Sequence, residues 1–216
     1  MMQLSLFDSG PARPPLWVEP GALWLPGAVS AQADHLYHDL LSILAAAPLR
    51  AVMTPGGRPL SVQMSNCGRL GWVSDRRGYR YEARDPVSGQ PWPVLPTAWQ
   101  QIAQDLAAAA GFANFTPDAC LINRYAVGAK MGRHQDRDEV DFLQPIVSLS
   151  LGLPARFEWG GATRGAAARM LRLEHGDALV WGGPARLRFH GVLPLEAGHH
   201  PLTGAFRFNL TFRCAR

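Results

Sequence analysis

The sequence predicts a mainly β protein, a sandwich or barrel with flanking helices. Three observations predict it. From Cys120 onward, short strand-like runs recur at 119–126, 145–151, 155–159, 168–174, 178–182, 187–193 and 205–213. Turn signals separate them, among them Gly160-Gly161, Gly176-Asp177, Gly182-Gly183-Pro184 and Pro201 to Gly204. Two helical patterns precede this region. Many short strands joined by turns indicate a sandwich or barrel rather than a parallel sheet.

The elements follow in chain order. Residues 1–30 are rich in Pro and Gly and read as irregular. Ala31 to Ala46 reads as a helix: Ser30 is a candidate N-cap, Leu36, Leu40, Ile43 and Leu44 share a face, and Pro48 stops it. Residues 48–96 carry many Gly, Pro and Arg residues and short alternating runs such as Leu60-Ser61-Val62-Gln63-Met64, which suggests short strands and loops on an exposed subdomain. A second helix is expected from about Ala98 to Ala110. Thr97 would cap it, Trp99, Ile102, Ala103 and Leu106 would line one face, and Gly111 would end it.

The 216 residues suffice for one sizeable domain. The longest apolar runs fall far short of the ~20 residues that span a bilayer. No segment at the N-terminus has the layout of a secretory signal. Three scattered cysteines, Cys67, Cys120 and Cys214, do not make a disulfide framework, so a cytoplasmic location is expected. The net charge of +4 permits nucleic-acid binding without proving it. Twenty arginines stand beside a single lysine, Lys130, which biased codon usage explains as readily as ligand binding does.

The chemistry is carried by three segments. In His134-Gln135-Asp136, strand geometry would project an imidazole and a carboxylate to one face, as two ligands of one metal must. Alone, such a pair is as well read as a surface ion pair. His190, in Leu187-Arg188-Phe189-His190-Gly191-Val192, would complete two histidines and one carboxylate on one face of an octahedron, the facial triad of non-haem Fe(II) oxygenases; its bland reading is a half-buried structural histidine. His35 and His38 on the first helix, His175 beside a turn and the adjacent His199 and His200 fit structural roles better. The third segment, Ala205 to Arg213, alternates strictly. Phe206, Phe208, Leu210 and Phe212 face one way, and Arg207, Asn209, Thr211 and Arg213 the other. A solvated face would explain that pattern, but a row of donors with two arginines suits a dicarboxylate such as 2-oxoglutarate. Asn123 and Tyr125 share one face of the strand before His134 and add polar contacts.

The stretches Pro117 to Tyr125, His134 to Glu139 and Arg207 to Arg213 resemble the AlkB family of bacterial demethylases. So do Thr54-Pro55-Gly56-Gly57, Asn66-Cys67-Gly68, Leu70-Gly71-Trp72 and Glu174-His175-Gly176-Asp177, and the similarity runs from about residue 15 to 213. The resemblance implies a double-stranded β-helix, or jelly-roll, core in residues 117–216. It implies flanking helices and an N-terminal nucleotide-recognition lid in 31–116, after the irregular segment 1–30. It implies that His134, Asp136 and His190 bind Fe(II) and carry catalysis with 2-oxoglutarate and O2 as co-substrates. Arg207 would pair with the distal carboxylate of 2-oxoglutarate, helped by Tyr125 and Asn209, with Arg213 and Asn123 near the chelating end. Trp72 and His134 would sandwich a flipped base, with Met64, Tyr79, Tyr81, Asp138 and Arg164 as further substrate contacts. The sequence departs from the family at Gly132-Arg133, where Ser-Leu precedes the first ligand, and at Leu60, where a Met lines the base pocket.

The activity implied is oxidative removal of alkyl groups from bases such as 1-methyladenine and 3-methylcytosine in DNA or RNA, by a monomer. The segment 50–84 agrees, with Arg50, Arg58, Arg69, Arg76, Arg77, Arg80 and Arg84 interleaved with Trp72, Tyr79 and Tyr81 against only Asp75 and Glu82. The same chemistry on a protein side chain, a non-catalytic reader of alkylated DNA and a structural metal-binding jelly roll are the rival readings. The complete triad and the inward arginines argue against the last two. At the N-terminus, Gln3-Leu4-Ser5-Leu6-Phe7 resembles the short peptide by which bacterial repair proteins dock on the sliding clamp; an apolar tether folded onto the domain is the alternative.

Overall fold

The computed structural model describes residues 13–216. The candidate clamp residues Gln3, Leu4, Leu6 and Phe7 lie outside them. Strands β1 (Leu16–Glu19) and β2 (Ala22–Leu25) come first, then helix α1 (Ala33–Ala46). Strands β3 (Arg50–Met53), β4 (Pro59–Gly68), β5 (Gly71–Asp75) and β6 (Gly78–Glu82) lead to helix α2 (Thr97–Ala109). The remainder is β7 (Ala119–Tyr125), β8 (Met131–His134), β9 (Ile146–Gly152), β10 (Ala155–Trp159), β11 (Arg169–Leu173), β12 (Ala178–Trp181), β13 (His190–Val192) and β14 (Arg207–Arg213). No described helix is long and apolar enough to cross a membrane.

A major sheet runs in the order β1-β2-β12-β9-β14-β7-β4-β3, a minor one β11-β10-β13-β8, and β5-β6 form a separate hairpin. Every pairing is antiparallel. This is the expected jelly-roll core. The major sheet is covered on both faces. On one, Leu36, Leu40 and Ile43 of α1 and Trp99, Ala103 and Leu106 of α2 pack on Ile122, Val147, Leu149, Phe208, Leu210 and Phe212. On the other, Ile146, Leu179 and Trp181 meet Phe157, Trp159, Leu171 and Val192 of the minor sheet. This three-layer arrangement is why β14 is buried along its whole length: its phenylalanines enter the helix layer and its polar residues face the second sheet. Trp99, fully buried, meets Phe212 edge-on at 6.2 Å.

Four expectations need correction. The segment 1–30 is not irregular throughout, because β2 pairs with β12 and extends the major sheet. The alternation of so short a strand is hidden between Pro20-Gly21 and Pro26-Gly27, and tertiary pairing decides it. The 48–96 region is not wholly an exposed subdomain either. β4 runs for ten residues and its second half pairs with β7 inside the major sheet. Ser30 lies in a 3-10 turn before α1, and Thr97 opens α2 rather than capping it; neither supplies a side-chain cap. Both helices are fixed instead by the apolar faces they bury. Gly111, with φ +88°, reverses the chain just beyond α2, a conformation that costs other residues more.

Candidate active site

His134 ends β8 and His190 begins β13, and the two are directly opposed in the register of the minor sheet. Their rings lie 4.4 Å apart. Strand pairing stops at His134, so Asp136 reaches the site from the loop that follows rather than by strand alternation. One ligand atom from each of the three lies within 4.8 Å of the others. His134 Nε2 is 3.6 Å from Asp136 Oδ1, and His190 Nε2 is 3.7 Å from Asp136 Oδ2. The histidine tautomers are set from behind. His134 Nδ1 donates to the Gly132 carbonyl at 2.9 Å and His190 Nδ1 to the Arg188 carbonyl at 3.0 Å. A carbonyl only accepts, so each Nδ1 carries the proton and each Nε2 offers its lone pair to a common centre.

The electrostatics suit a cation. Burial pushes His190 down to about 4, and His134 beside it acts in the same direction, so the ring is neutral near pH 7. Burial alone would raise the Asp136 carboxyl. The Arg213 guanidinium, 3.1 Å from its Oδ1, and the two histidines override this and hold it well below the usual carboxylate range. Asp136 Oδ2 is buried without a hydrogen-bond partner among the described residues. Two imidazoles that aim Nε2 at one point and a carboxylate with an unanswered oxygen are the donor set of a divalent transition metal.

A second demand for charge lies on β14. Arg207 is 1% exposed. Its Nη2 donates to Ser150 Oγ at 2.9 Å, while Nε and Nη1 are buried with no partner among the described residues. No carboxylate lies within ion-pair distance of it among the described residues. A buried cation left so is costly unless an anion joins it, and a carboxylate supplies both the counter-charge and acceptors for the unanswered N–H groups. Tyr125 sets its ring 5.2 Å from the guanidinium carbon. Arg207, Asn209, Thr211 and Arg213 all open on the cavity of about 700 Å³ that holds the triad. The residues present therefore fit both Fe(II) and a dicarboxylate.

The comparisons with known proteins agree. The 2OG-Fe(II) oxygenase superfamily pattern matches residues 21–213. The alpha-ketoglutarate-dependent dioxygenase AlkB of Salmonella typhimurium is 51% identical over 213 residues, 98% of each chain. The chain belongs to the AlkB family. The dioxygenase AlkB of Escherichia coli is 50% identical over 202 residues, 92% of this chain and 94% of that one. The solved structure of OsALKBH1 superposes with a TM-score of 0.81 at 29% identity, covering 93% of this chain and 99% of that one. Like its family, this AlkB protein is an Fe(II)- and 2-oxoglutarate-dependent dioxygenase, with His134, Asp136 and His190 as the iron-binding triad.

The remaining site residues divide by location. Met64, Trp72, Tyr79, Asn123, Tyr125, Asp138 and Arg164 line the cavity with the triad. Trp72 comes from β5, stacks on Tyr79 at 5.4 Å and donates from Nε1 to Asp138 Oδ2 at 2.7 Å. Burial raises the Asp138 carboxyl, and this hydrogen bond opposes the rise. Tyr81 is not in the cavity wall. It is 6% exposed and donates to Glu139 Oε1 at 2.6 Å, because two residues beyond Tyr79 on β6 it stands opposite Trp72 and packs on Leu70, Ala119 and Ala215. Asn209 lines the cavity, but its amide already donates to Ser148 Oγ at 2.7 Å and to the Leu149 carbonyl at 2.9 Å.

Several residues escaped sequence reasoning. His190 sits among Phe157, Trp159 and Trp181, with ring centroids at 5.8, 6.4 and 5.1 Å. The alternation of Ala155, Phe157 and Trp159 on β10 was the available signal. Ser148 and Ser150 alternate with Val147, Leu149 and Leu151 in the same way. Glu139 pairs with Arg186 at 2.9 Å, both 2% exposed, and also approaches Arg213 at 3.4 Å. No spacing in the sequence announces that pair.

Proposed function

We propose that the protein removes alkyl groups oxidatively from nucleic-acid bases, with 1-methyladenine and 3-methylcytosine in DNA as substrates. One observation carries the reading: the aromatic hairpin residues Trp72 and Tyr79 line the same cavity as the triad, and Trp72 is tied across it to Asp138. Trp72 and His134 offer flat faces for an extruded base, worth ~1–3 kcal/mol in stacking. An N-alkylated ring of this kind is cationic. The Asp138 carboxylate, with Oδ2 held by Trp72, leaves Oδ1 to attract the cation over the uncharged normal base. At ~4 Å and an effective dielectric of ~20 the attraction is ~4 kcal/mol, offset in part by desolvation. Such lesions do not form Watson–Crick pairs, so extrusion costs less.

When bound, Fe(II) with 2-oxoglutarate and O2 supplies the oxidation, giving succinate, CO2 and an alkyl carbon that leaves as formaldehyde. The chain's own part is to hold and orient. Arg207 anchors the distal carboxylate, Tyr125 packs against that arginine, and Arg213 keeps Asp136 ionised and aimed at the metal. Phe157, Trp159 and Trp181 shield His190 from water. Tyr81 supports Arg213 and Glu139 rather than touching the base. The nucleotide-recognition lid we assign to the 31–116 region, its cavity-facing part being β5-β6, and the N-terminal Gln3-Leu4-Ser5-Leu6-Phe7 segment to sliding-clamp docking. A labelled peptide of residues 1–12 binding the host clamp, and losing binding on Leu6→Ala and Phe7→Ala, tests the docking. For the activity, methylated DNA and RNA oligonucleotides are incubated with Fe(II), ascorbate and 2-oxoglutarate. Demethylated DNA with equimolar succinate supports the reading, and product from neither polymer refutes it.

A further inference from the structure

The segment between β10 and β11 carries Arg164 to the cavity rim, and one side chain beside the first iron ligand secures it. Arg133 on β8 immediately precedes His134. Its Nε and Nη2 donate to Glu158 Oε1 at 3.2 and 3.0 Å. Its Nη1 donates to the Ala166 carbonyl at 2.9 Å and the Arg164 carbonyl at 3.3 Å. Arg164 answers by donating from Nη1 to the Arg133 carbonyl, and its guanidinium carbon lies 5.1 Å over the Phe189 ring. The other end of the segment is fastened next to the third ligand. Gly160 N–H donates to the Phe189 carbonyl at 2.7 Å, and Phe189 N–H to the Gly161 carbonyl at 3.0 Å. A Cβ at Gly160 would stand 2.8 Å from the Phe189 oxygen, so only glycine allows this approach.

The charges then have distinct roles. Arg133 and Glu158 are 27% and 17% exposed and spend their charges on each other. Arg164 is exposed and has no carboxylate partner among the described residues. Its remaining donors point a cation at the cavity mouth from a segment with few apolar contacts to hold it. Without the latch that segment would sample many conformations, and ordering it would oppose substrate binding.

We propose that Arg133 is a positioning residue for polymer substrates: by latching the 160–167 segment it presents Arg164 to a phosphodiester beside the extruded base. The inference rests on the nucleic-acid reading above. It predicts that loss of Arg133 affects an oligonucleotide, which has flanking phosphates, more than the isolated alkylated nucleoside, which has none. Its fork holds a carboxylate and two carbonyls together, so lysine restores the function only in part.

The test compares wild type, Arg133→Met, Arg133→Lys, Arg164→Ala and the Arg133→Met/Arg164→Ala double variant on a 1-methyladenine oligonucleotide and on 1-methyldeoxyadenosine. Glu158→Gln serves as a second, milder break of the latch. In Arg133→Met the KM for the oligonucleotide should rise about fivefold, the worth of one partly exposed charged contact. The nucleoside should change less, Arg133→Lys should lie between, and the double variant should be no worse than Arg164→Ala. Tryptic cleavage after Arg164 in the native protein should also accelerate in Arg133→Met and Glu158→Gln. Equal losses on both substrates, or a double variant showing the product of the single losses, overturns the proposal. If wild type acts on neither substrate, the nucleic-acid reading fails by itself, and unchanged tryptic cleavage in the variants overturns the latch independently.

Discussion

Replacing Arg207 by methionine keeps the stem that packs beside Tyr125 and removes the guanidinium. Arg207 is 1% exposed, and its Nε and Nη1 have no partner among the described residues. Two opposite effects follow from the one change. Each charge-assisted hydrogen bond to the distal carboxylate contributes ~1.5–3 kcal/mol, so loss of even one weakens 2-oxoglutarate about tenfold, and loss of the bidentate pair roughly a hundredfold. The apo protein meanwhile sheds a buried, half-answered cation and should melt higher, since a hydrophobic replacement of similar volume removes a desolvation cost. The assay is thermal unfolding of wild type and Arg207→Met with and without Mn(II) and 2-oxoglutarate, alongside the KM for 2-oxoglutarate. The variant should gain stability alone and lose most of the stabilisation that 2-oxoglutarate confers. An unchanged KM for 2-oxoglutarate would place the distal carboxylate elsewhere and refute the reasoning.

Other perturbations have equally direct readouts. Asp136→Ala should abolish turnover and Mn(II) binding, read by electron paramagnetic resonance, while circular dichroism shows the jelly roll intact. Glu139→Gln leaves Arg186, 2% exposed at a 2.9 Å ion pair, without its counter-charge; breaking a buried pair costs about 3–5 kcal/mol, which a urea midpoint would show. For pH dependence, the rings of His175 and His200 lie 4.3 Å apart, tilted by 35°, and burial lowers both from 6.5. Asp34 and Asp177 oppose the shift at His175; at His200, His199 and His175 add to it and Asp34 opposes it. Each Nδ1 accepts a backbone N–H, from Gly152 and Leu202 respectively, so protonation sets donor against donor. A folded pKa below the unfolded one gives stability that is full above about pH 6.5 and declines as pH falls beneath it. His175→Gln should flatten the stability profile as pH falls below about 6.5.

Much of this was legible because it follows from periodicity. The two-residue repeat of β14 identified both the apolar face and the polar row, and the turn residues marked the strands of the core. What periodicity could not reveal was the third layer. Polar residues on a strand ordinarily mean solvent, and only the minor sheet lying over the polar face of β14, with β7 and β9 flanking it, makes Arg207 a buried cation. Short strands with weak local signals, β1 and β2, exist because β12 offers an edge. The His134–Asp136 juxtaposition was anticipated for the wrong reason, since the strand ends between them and the loop makes the approach. Tyr81 illustrates the limit of resemblance: its side chain lies under the site, holding Glu139 and Arg213, rather than in the cavity.

In the reading proposed above, one cavity couples 2-oxoglutarate turnover to dealkylation of a base. The most direct test is a single-vessel reaction of protein, Fe(II), 2-oxoglutarate, O2 and an oligonucleotide bearing one 1-methyladenine, with succinate, formaldehyde and oligonucleotide mass measured together. Succinate and formaldehyde should form in equimolar amounts, and the oligonucleotide should become lighter by one methylene group. Succinate formed at the same rate with and without the methylated base, and no change in oligonucleotide mass, would contradict it.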